Sequence, residues 1–212
     1  MLSQSHVSQI KKLSPHATGC VYKTAIWKNL NAEHKELVRD FENKMVSRAD
    51  VVKAYEEYYA GNGDYLRAFL LTMIWGFSDN GYGTFRTNSY ITIPTHTERV
   101  RTALEAVGKN DIVRAFKVLK SIKGLGISYL SKVLFFATKG KGLTDYCLVF
   151  DIRVARALVM LNAPAFVNDI INVMPSDKWE NYRKYNEMIH NYAMQYQVDA
   201  EAIELFLFNQ KF

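Results

Sequence analysis

Apolar residues recur at helical spacing along most of the chain. Residues 32–41 and 48–59 carry apolar side chains three or four positions apart, as one face of a helix requires. Ser47 precedes the second stretch, where its hydroxyl can accept a backbone N–H group that the first helical turn leaves unpaired. Residues 64–77 are apolar nearly all round, which predicts a buried helix. The pattern therefore predicts a mainly α protein.

One segment departs from this helical pattern. Residues 78–94 mix glycine, asparagine and aromatic residues, and the sequence NSYITIP at residues 88–94 has the alternation typical of a short β-strand. We therefore expect a small β-hairpin there. Because no internal repeat or proline-rich linker divides the chain, we expect a single two-lobed domain over residues 1–212, with lobe boundaries in loops such as 78–94 or 138–147.

The most informative motif lies at residues 111–138. Two apolar-periodic arms, DIVRAFKVLKSI and ISYLSKVLFFAT, are joined by the sequence KGLG. Gly124 and Gly126 permit a positive φ and a close approach of backbone N–H groups to a phosphate or a bridging cation. The second helix would start at this turn with its positive dipole end towards the same phosphate, and Lys123 and Lys132 add charge. An ordinary helical hairpin uses glycine in the same way, so the turn alone does not decide the function.

The net charge of +6 is concentrated around this motif. Residues 110–160 contain nine lysine and arginine residues against three acidic ones, so this quarter of the chain carries the whole excess. A surface that faces DNA phosphates requires such charge, although a solvated basic face has the same composition.

Other features of the composition narrow the class of protein. The five histidines are scattered and the two cysteines lie far apart, so we expect no metal and no cofactor, with at most a monovalent cation at the hairpin. No run of residues is apolar enough for a membrane span or a secretion signal, and we therefore expect a cytoplasmic protein that does not bind membranes. We also expect a monomer.

The hairpin and the segment after it resemble the helix-hairpin-helix (HhH-GPD) DNA glycosylases. In that family a turn like KGLG is followed by a short connection and a V-D-x-x-V-x-R-like segment, to which FDIRVARAL at residues 150–158 is similar. The similarity covers residues 117–158 and is greatest to bacterial proteins with an 8-oxoguanine-glycosylase-like fold, where a loop like WGF…GYG…R at residues 75–86 also occurs. It implies a two-lobed, mainly α fold, a double-stranded DNA substrate with a modified base, and Asp151 as the catalytic carboxylate.

Three departures from the family pattern affect this expectation. Lys123 replaces the usual proline before the first hairpin glycine, and the sequence KGKGLTD at residues 139–145 lengthens the connection to Asp151. Bifunctional members carry a nucleophilic lysine two residues after the second hairpin glycine, where this chain has Ser128. A hydroxyl group cannot form the Schiff base that β-elimination requires, so the resemblance implies a monofunctional enzyme that leaves an abasic site.

The resemblance also indicates which residues would contact DNA. Such an enzyme flips the target nucleotide out of the duplex, fills the gap with a wedge and stacks the base between side chains. Contacts with the DNA backbone are expected from Lys123, Gly124, Leu125, Gly126, Lys132 and Arg153. Candidates for the base pocket or the wedge are Trp75, Phe77, Asp79, Asn80, Tyr82, Phe85, Arg86, His190, Tyr192 and Gln195. Core packing is the favoured interpretation of Trp75 and Phe77, and Asp151 would also serve as the N-cap of a helix over residues 152–161.

Three functions remain open at this point. The first is a monofunctional glycosylase, acting either on a bulky, glucosylated hydroxymethylcytosine of phage DNA in antiviral defence or on 8-oxoguanine in repair; Ser128 slightly favours the former. The second is a non-catalytic module that uses the hairpin only to bind DNA. The third is a bifunctional lyase in which Lys132 or another lysine replaces the missing nucleophile.

Overall fold

The computed structural model describes residues 2–77, 82–162 and 174–210 and is mainly helical there. Its helices are α1 (Gln4–Ile10), α2 (Ala32–Glu36), α3 (Arg48–Tyr59), α4 (Tyr65–Phe77), α5 (Tyr82–Ile91), α6 (Pro94–Gly108), α7 (Ile112–Lys120), α8 (Ile127–Gly140), α9 (Ile152–Asn162), α10 (Trp179–Tyr196) and α11 (Ala200–Phe208). The predicted mainly α fold is confirmed. No helix within these ranges is both long enough and apolar enough to cross a membrane.

The β-structure lies elsewhere than the sequence predicted. Strands β1 (Gly19–Val21) and β2 (Met45–Ser47) pair antiparallel, with Cys20 opposite Val46. The hairpin expected at residues 78–94 is wrong where the structure describes that segment, because residues 82–91 form α5 and α6 begins at Pro94. Thr84, Thr87 and Ile91 are buried at helical spacing, and Thr84 donates its hydroxyl proton to the Ile26 carbonyl at 3.0 Å. These contacts with a distant segment override the strand preference of NSYITIP.

The chain forms two compact units. The large unit is His16–Cys147, and the small unit combines Met1–Pro15 with Leu148–Phe212. The glycine hairpin therefore lies in the large unit, whereas Asp151 lies in the small unit.

Helices α3, α4 and α8 form the core of the large unit. Side chains from Ala68 to Ile74 on α4 are at most 1% exposed, which is why this helix shows no polar face in the sequence. The Tyr55 hydroxyl of α3 lies 3.0 Å from the Thr72 hydroxyl of α4, so the buried polar groups are hydrogen-bonded to one another. Gly140 at the end of α8 packs so closely on α3 that an added Cβ would lie 2.4 Å from the Tyr55 Cβ. The C-terminal end of α8 is thereby packed tightly on α3.

The start of α3 shows the predicted cap. The Ser47 hydroxyl accepts a hydrogen bond from the Asp50 backbone N–H at 3.2 Å, and the Asp50 carboxylate accepts one from the Ser47 N–H at 2.8 Å. This reciprocal pair satisfies two backbone donors at the helix start.

The small unit packs α9 and α10 on α11. All side chains from Ala200 to Leu207 on α11 are buried. The N-terminal segment joins this core, because the His6 and Phe206 rings lie 5.3 Å apart and the Tyr196 hydroxyl donates to the Leu2 carbonyl at 3.2 Å. The unit is thus built from both ends of the chain.

Candidate functional site

The glycine hairpin joins α7 and α8 by a tight turn. Gly124 adopts a φ of 86°, a left-handed conformation that a residue with a Cβ adopts only with strain. Leu125 is only 4% exposed, whereas Lys123, Gly124 and Gly126 are exposed. Gly126 is the N-cap of α8, and its carbonyl accepts the Tyr129 and Leu130 N–H groups at 3.0 Å. The two helices and the glycine turn of the predicted helix-hairpin-helix are therefore present, with the start of α8 at an exposed turn.

A tyrosine from a neighbouring helix holds this turn. The Tyr90 hydroxyl of α5 donates a hydrogen bond to the Gly124 carbonyl at 2.7 Å. Tyr90 is 1% exposed, and burial raises the pKa of its phenol, so the hydroxyl keeps the proton that it donates. Sequence reasoning missed this residue because it lies in the segment that reads as a strand.

Ser128 and Lys132 lie one turn apart at the start of α8. Ser128, at the position of the lyase lysine, is half-buried. Lys132 is only 7% exposed, and its ammonium group donates to the Ser128 backbone carbonyl at 3.2 Å. Lys132 is thus buried where a phosphate ligand on the surface was expected, while Lys123 is exposed. The predicted DNA contacts of both lysines stay predictions.

An exposed aromatic pair lies at the start of α5. Tyr82 is 54% exposed and Phe85 is 69% exposed, and their rings are nearly parallel with centroids 6.0 Å apart. The Arg86 guanidinium lies over the Tyr82 ring at 4.9 Å from its centroid. Two large apolar rings in contact with solvent offer a stacking surface beside a positive charge. Of the neighbouring candidates, Asp79 and Asn80 lie outside the described residues.

The other two aromatic candidates near this loop are packed into the large unit. The Trp75 indole N–H donates to the Thr18 carbonyl at 3.2 Å, and the Trp75 ring meets Phe136 edge to face at 5.2 Å. Phe77 is 5% exposed and stacks on Tyr129 with centroids 4.0 Å apart. Phe77 therefore packs in the core, whereas Trp75 is half-buried, and their predicted contacts with a base stay predictions.

Asp151 caps α9 in the small unit. Its side chain is buried, and the carboxylate Oδ1 accepts hydrogen bonds from the backbone N–H groups of Arg153 at 2.9 Å and Val154 at 3.3 Å. Both donors belong to the first turn of α9, where the helix dipole also favours negative charge. The carboxylate is thereby fixed in one orientation.

Side chains of α10 hold the segment that leads to Asp151. The Tyr182 hydroxyl donates to the Leu148 carbonyl at 2.7 Å, and the Leu148 N–H donates to the Asn186 side chain at 2.6 Å. The Tyr185 hydroxyl donates to the Val149 carbonyl at 2.8 Å. No strand in the described part of the chain pairs with residues 148–149, and these three side chains satisfy backbone groups that burial would otherwise leave unpaired.

Stacking completes this support. Phe150, directly before Asp151, lies parallel to the Tyr185 ring with centroids 4.3 Å apart. Tyr182 and Tyr185, three residues apart on α10, are both buried. The sequence did not indicate that their hydroxyl groups fix the backbone before the candidate catalytic residue.

The remaining candidates of the small unit are less enclosed. His190 and Tyr192 are half-buried, and Gln195 is exposed. Tyr192 borders an apolar groove, whose lining includes Leu158, Ile189, Ile203 and Leu207. Arg153 is exposed, with its guanidinium 4.9 Å from the Phe208 ring centroid. Their predicted contacts with the base and the DNA backbone stay predictions.

Comparison with protein families identifies the class. Residues 14–208 match the family described as "Putative 8-oxoguanine DNA glycosylase OGG-like protein". This match spans nearly the whole chain, so the chain belongs to that family, and the predicted relation to 8-oxoguanine-glycosylase-fold proteins is confirmed. Comparisons with curated proteins and with solved structures found no match.

Proposed function

We propose that this protein is a DNA glycosylase in which Asp151 is the catalytic carboxylate. The observation that carries the proposal is the state of Asp151: a buried carboxylate, oriented by two backbone N–H groups, in a segment fixed by α10. The family match supports the class of reaction, because the family description names a DNA glycosylase. The exposed glycine turn and the basic residues around it support DNA as the substrate.

The chemistry suits a fixed carboxylate. Cleavage of the bond between the base nitrogen and C1′ of deoxyribose builds positive charge on the sugar, as in glycoside hydrolysis. The Asp151 carboxylate would stabilise that charge, and it would orient or deprotonate the water that adds to C1′. The base leaves with its bonding electron pair and is protonated, while the sugar gains a hydroxyl group. The product is an abasic site in an intact strand.

The exposed aromatic pair of α5 fits the step that precedes this chemistry. A base within a duplex is out of reach of any active-site residue, so the enzyme must extrude the nucleotide and stabilise the gap. We propose that Tyr82 and Phe85 stack on bases at that gap and that Arg86 neutralises a neighbouring phosphate. Their exposure and mutual stacking support this role.

Base removal in this proposal is hydrolytic. Ser128 stands where bifunctional relatives carry the lysine that displaces the base, and its hydroxyl cannot form a Schiff base. Water is therefore the nucleophile for excision, which makes the glycosylase step monofunctional.

Two modified bases are the leading substrates. The family description names 8-oxoguanine. A bulky modified cytosine of phage DNA, such as glucosylated hydroxymethylcytosine, is the second, because Ser128 breaks the pattern of the lyase-active oxoguanine enzymes. Excision of the second base would give the protein a role in antiviral defence.

A panel of duplexes, each with a single modified base, tests the function. After incubation, alkali cleaves the strand at any abasic site, so product length reports excision. We expect cleavage of one member by the natural chain, none by Asp151→Asn, and normal cleavage by Asp145→Asn, which changes an exposed aspartate in the same connection. Salt-dependent binding to all duplexes without an abasic product would instead support a non-catalytic DNA-binding module. Undiminished excision by Asp151→Asn would refute the mechanism.

A further inference from the structure

The side-chain amide of Asn186 joins α10 to the segment that leads to Asp151. Its Oδ1 accepts a hydrogen bond from the Leu148 backbone N–H at 2.6 Å, and its Nδ2 donates one to the Tyr182 carbonyl at 2.7 Å. One end of the amide therefore faces a donor and the other faces an acceptor, and a flipped amide would place like groups against each other. The Asn186 side chain is thereby held in one orientation.

Leu148 is held at both of its backbone polar groups. Asn186 accepts its N–H, and the Tyr182 hydroxyl donates to its carbonyl at 2.7 Å. Residues 182 and 186 are four apart, so their side chains leave the same face of α10. Two hydrogen bonds of opposite direction hold the backbone at Leu148 as a paired β-strand would.

Two buried residues connect Leu148 to Asp151. Val149 is 1% exposed and its carbonyl accepts the Tyr185 hydroxyl proton, while the Phe150 ring stacks on the ring of the same tyrosine. Close-packed interiors transmit strain, and three residues of chain span about 10 Å at most. A displacement of the backbone at Leu148 is therefore passed on to Asp151 through a short and packed stretch.

Loss of Asn186 would leave a different group unpaired from loss of either tyrosine hydroxyl. Tyr182 and Tyr185 donate to carbonyls, whereas Asn186 accepts from the N–H of Leu148, which is 0% exposed. Buried N–H groups without an acceptor are rarer in proteins than carbonyls without a full set of donors. The segment would have to shift to bring this N–H to another acceptor or to water.

We propose that Asn186 is a positioning residue that sets the direction of the Asp151 carboxylate. This inference rests on the proposed glycosylase function and assigns Asn186 a part in the reaction without contact with DNA or with the attacking water. The carboxylate stabilises the developing charge only if it points at the deoxyribose. A misplacement of about 1 Å caused by a mutation far from the chemistry slows a reaction on the order of 100-fold. Asn186 therefore affects the rate of excision and not the affinity for DNA.

Single-turnover excision and DNA affinity test this proposal on the duplex that the natural chain cleaves. Asn186→Leu keeps the size of the side chain and removes both hydrogen bonds, and Asn186→Ala removes the same bonds with less bulk. We expect both variants to lower the excision rate on the order of 10- to 100-fold and to leave the dissociation constant for DNA within about twofold. Tyr185→Phe keeps the ring that stacks on Phe150 and is expected to slow excision less.

Two control variants separate positioning from a general loss of stability. Tyr196→Phe removes the hydrogen bond to the Leu2 carbonyl in the same unit, and Asn191→Leu changes an exposed asparagine of the same helix. Both are expected to excise at the natural rate at a temperature where every variant is folded. If Tyr196→Phe slowed excision as much as Asn186→Leu, the stability of the unit would explain the effect and the proposal would be wrong.

The backbone amide resonances of Arg153 and Val154 report the placement of the carboxylate without any excision. Oδ1 accepts both N–H groups, so Asp151→Ala defines the resonances of the two amides when that contact is lost. In Asn186→Leu we expect both resonances to move towards their positions in Asp151→Ala, and in Tyr196→Phe we expect them to stay. Unmoved resonances in Asn186→Leu would overturn the proposal.

Failure of this proposal and failure of the proposed function give different results. Excision at the same rate by the natural chain and by Asn186→Leu would overturn only the role of Asn186. If the natural chain excised no base from any duplex of the panel, the glycosylase proposal would be overturned. The resonances of Arg153 and Val154 would then still decide whether Asn186 orients Asp151, because their movement supports that role and their constancy contradicts it.

Discussion

Two substitutions separate the cap that Asp151 forms on α9 from the catalytic role proposed for it. Oδ1 accepts the Arg153 and Val154 N–H groups, so the side chain caps α9 whether or not it takes part in chemistry. Asp151→Asn keeps an oxygen at this position and removes the charge. Asp151→Ala removes both. If Asp151 only caps α9, Asp151→Ala should lower stability and Asp151→Asn should have little effect. If Asp151 is also catalytic, both variants should lose excision.

The cap and the charge have different expected effects on stability and on the rate of excision. Loss of an N-cap side chain costs about 0.5–2 kcal/mol of the free energy of unfolding, and about 1 kcal/mol lowers the melting temperature of a chain of this size by roughly 2–4 °C. We therefore expect a measurable loss of stability in Asp151→Ala and almost none in Asp151→Asn. Removal of a group that stabilises transition-state charge costs on the order of 100- to 1,000-fold in rate. Both variants should lose excision to that extent.

Thermal unfolding and single-turnover excision measure the two effects independently. Ser47→Ala is the control for stability, because it removes the cap of α3 in the other unit. It should lower the melting temperature as Asp151→Ala does and leave excision unchanged at a temperature where the protein is folded. If Asp151→Asn excised within about tenfold of the natural rate, a catalytic charge at Asp151 would be refuted and the cap alone would explain the residue.

Three further substitutions test other parts of the site. Gly124→Ala places a Cβ at a φ of 86°, which costs about 1–2 kcal/mol, so unfolding should occur at a lower urea concentration and DNA affinity should fall. Gly126→Ala, at a φ of −71° with open space around its Cβ position, should change stability little. Equal losses in both variants would contradict the argument from backbone strain. Tyr185→Phe removes the 2.8 Å hydrogen bond to the Val149 carbonyl, so the free energy of unfolding should fall by about 1 kcal/mol and excision should slow. A variant as stable and as active as the natural chain would show that this bond does not position Asp151. Phe85→Ala removes a ring that is 69% exposed, so the free energy of unfolding should change by less than about 0.5 kcal/mol. DNA affinity, measured by fluorescence anisotropy, should fall by about 1–3 kcal/mol for a lost stacking contact. Unaltered affinity would exclude the ring from DNA binding.

Most of the helical architecture was predictable from the sequence because helical burial leaves a periodic trace. Residues 64–77 read as a buried helix, and α4 occupies Tyr65–Phe77. The two helices of the hairpin were also predictable, since the glycine-containing sequence KGLG separates two apolar-periodic stretches. The family match confirms the class of protein to which the hairpin and the segment after it pointed.

The errors have a physical origin in contacts between distant segments. Residues 88–94 alternate like a strand, but the helix over residues 82–91 is fixed by hydrogen bonds from Thr84 and Asn88 to the carbonyls of Ile26 and Asn29. A three-residue strand such as β1 is too short to show a pattern at all. Sequence shows which positions are apolar, but it does not show which backbone group a side-chain oxygen will meet.

Lys132 illustrates the same difficulty for a candidate site residue. A lysine in a basic segment was expected to contact a phosphate, yet Lys132 lies in the buried run Leu130–Thr138 of α8 and its stem lies against Gly76. The composition of the segment shows the charge of this residue but not its burial, and its contact with a phosphate stays a prediction.

The hydrogen bond between Tyr90 and Gly124 joins the hairpin turn to the helix that carries the exposed aromatic pair. It joins one end of α5 to the hairpin turn, while Tyr82 lies at the other end of the same helix. Eight residues at 1.5 Å each span about 12 Å, and successive nucleotides of one strand are about 3.4 Å apart along the duplex axis. A strand that ran along α5 and contacted both of its ends would have its bound phosphate and its stacked base three or four nucleotides apart. We expect chemical footprinting to show two protected positions at this interval, and we expect the interval to become variable in Tyr90→Phe.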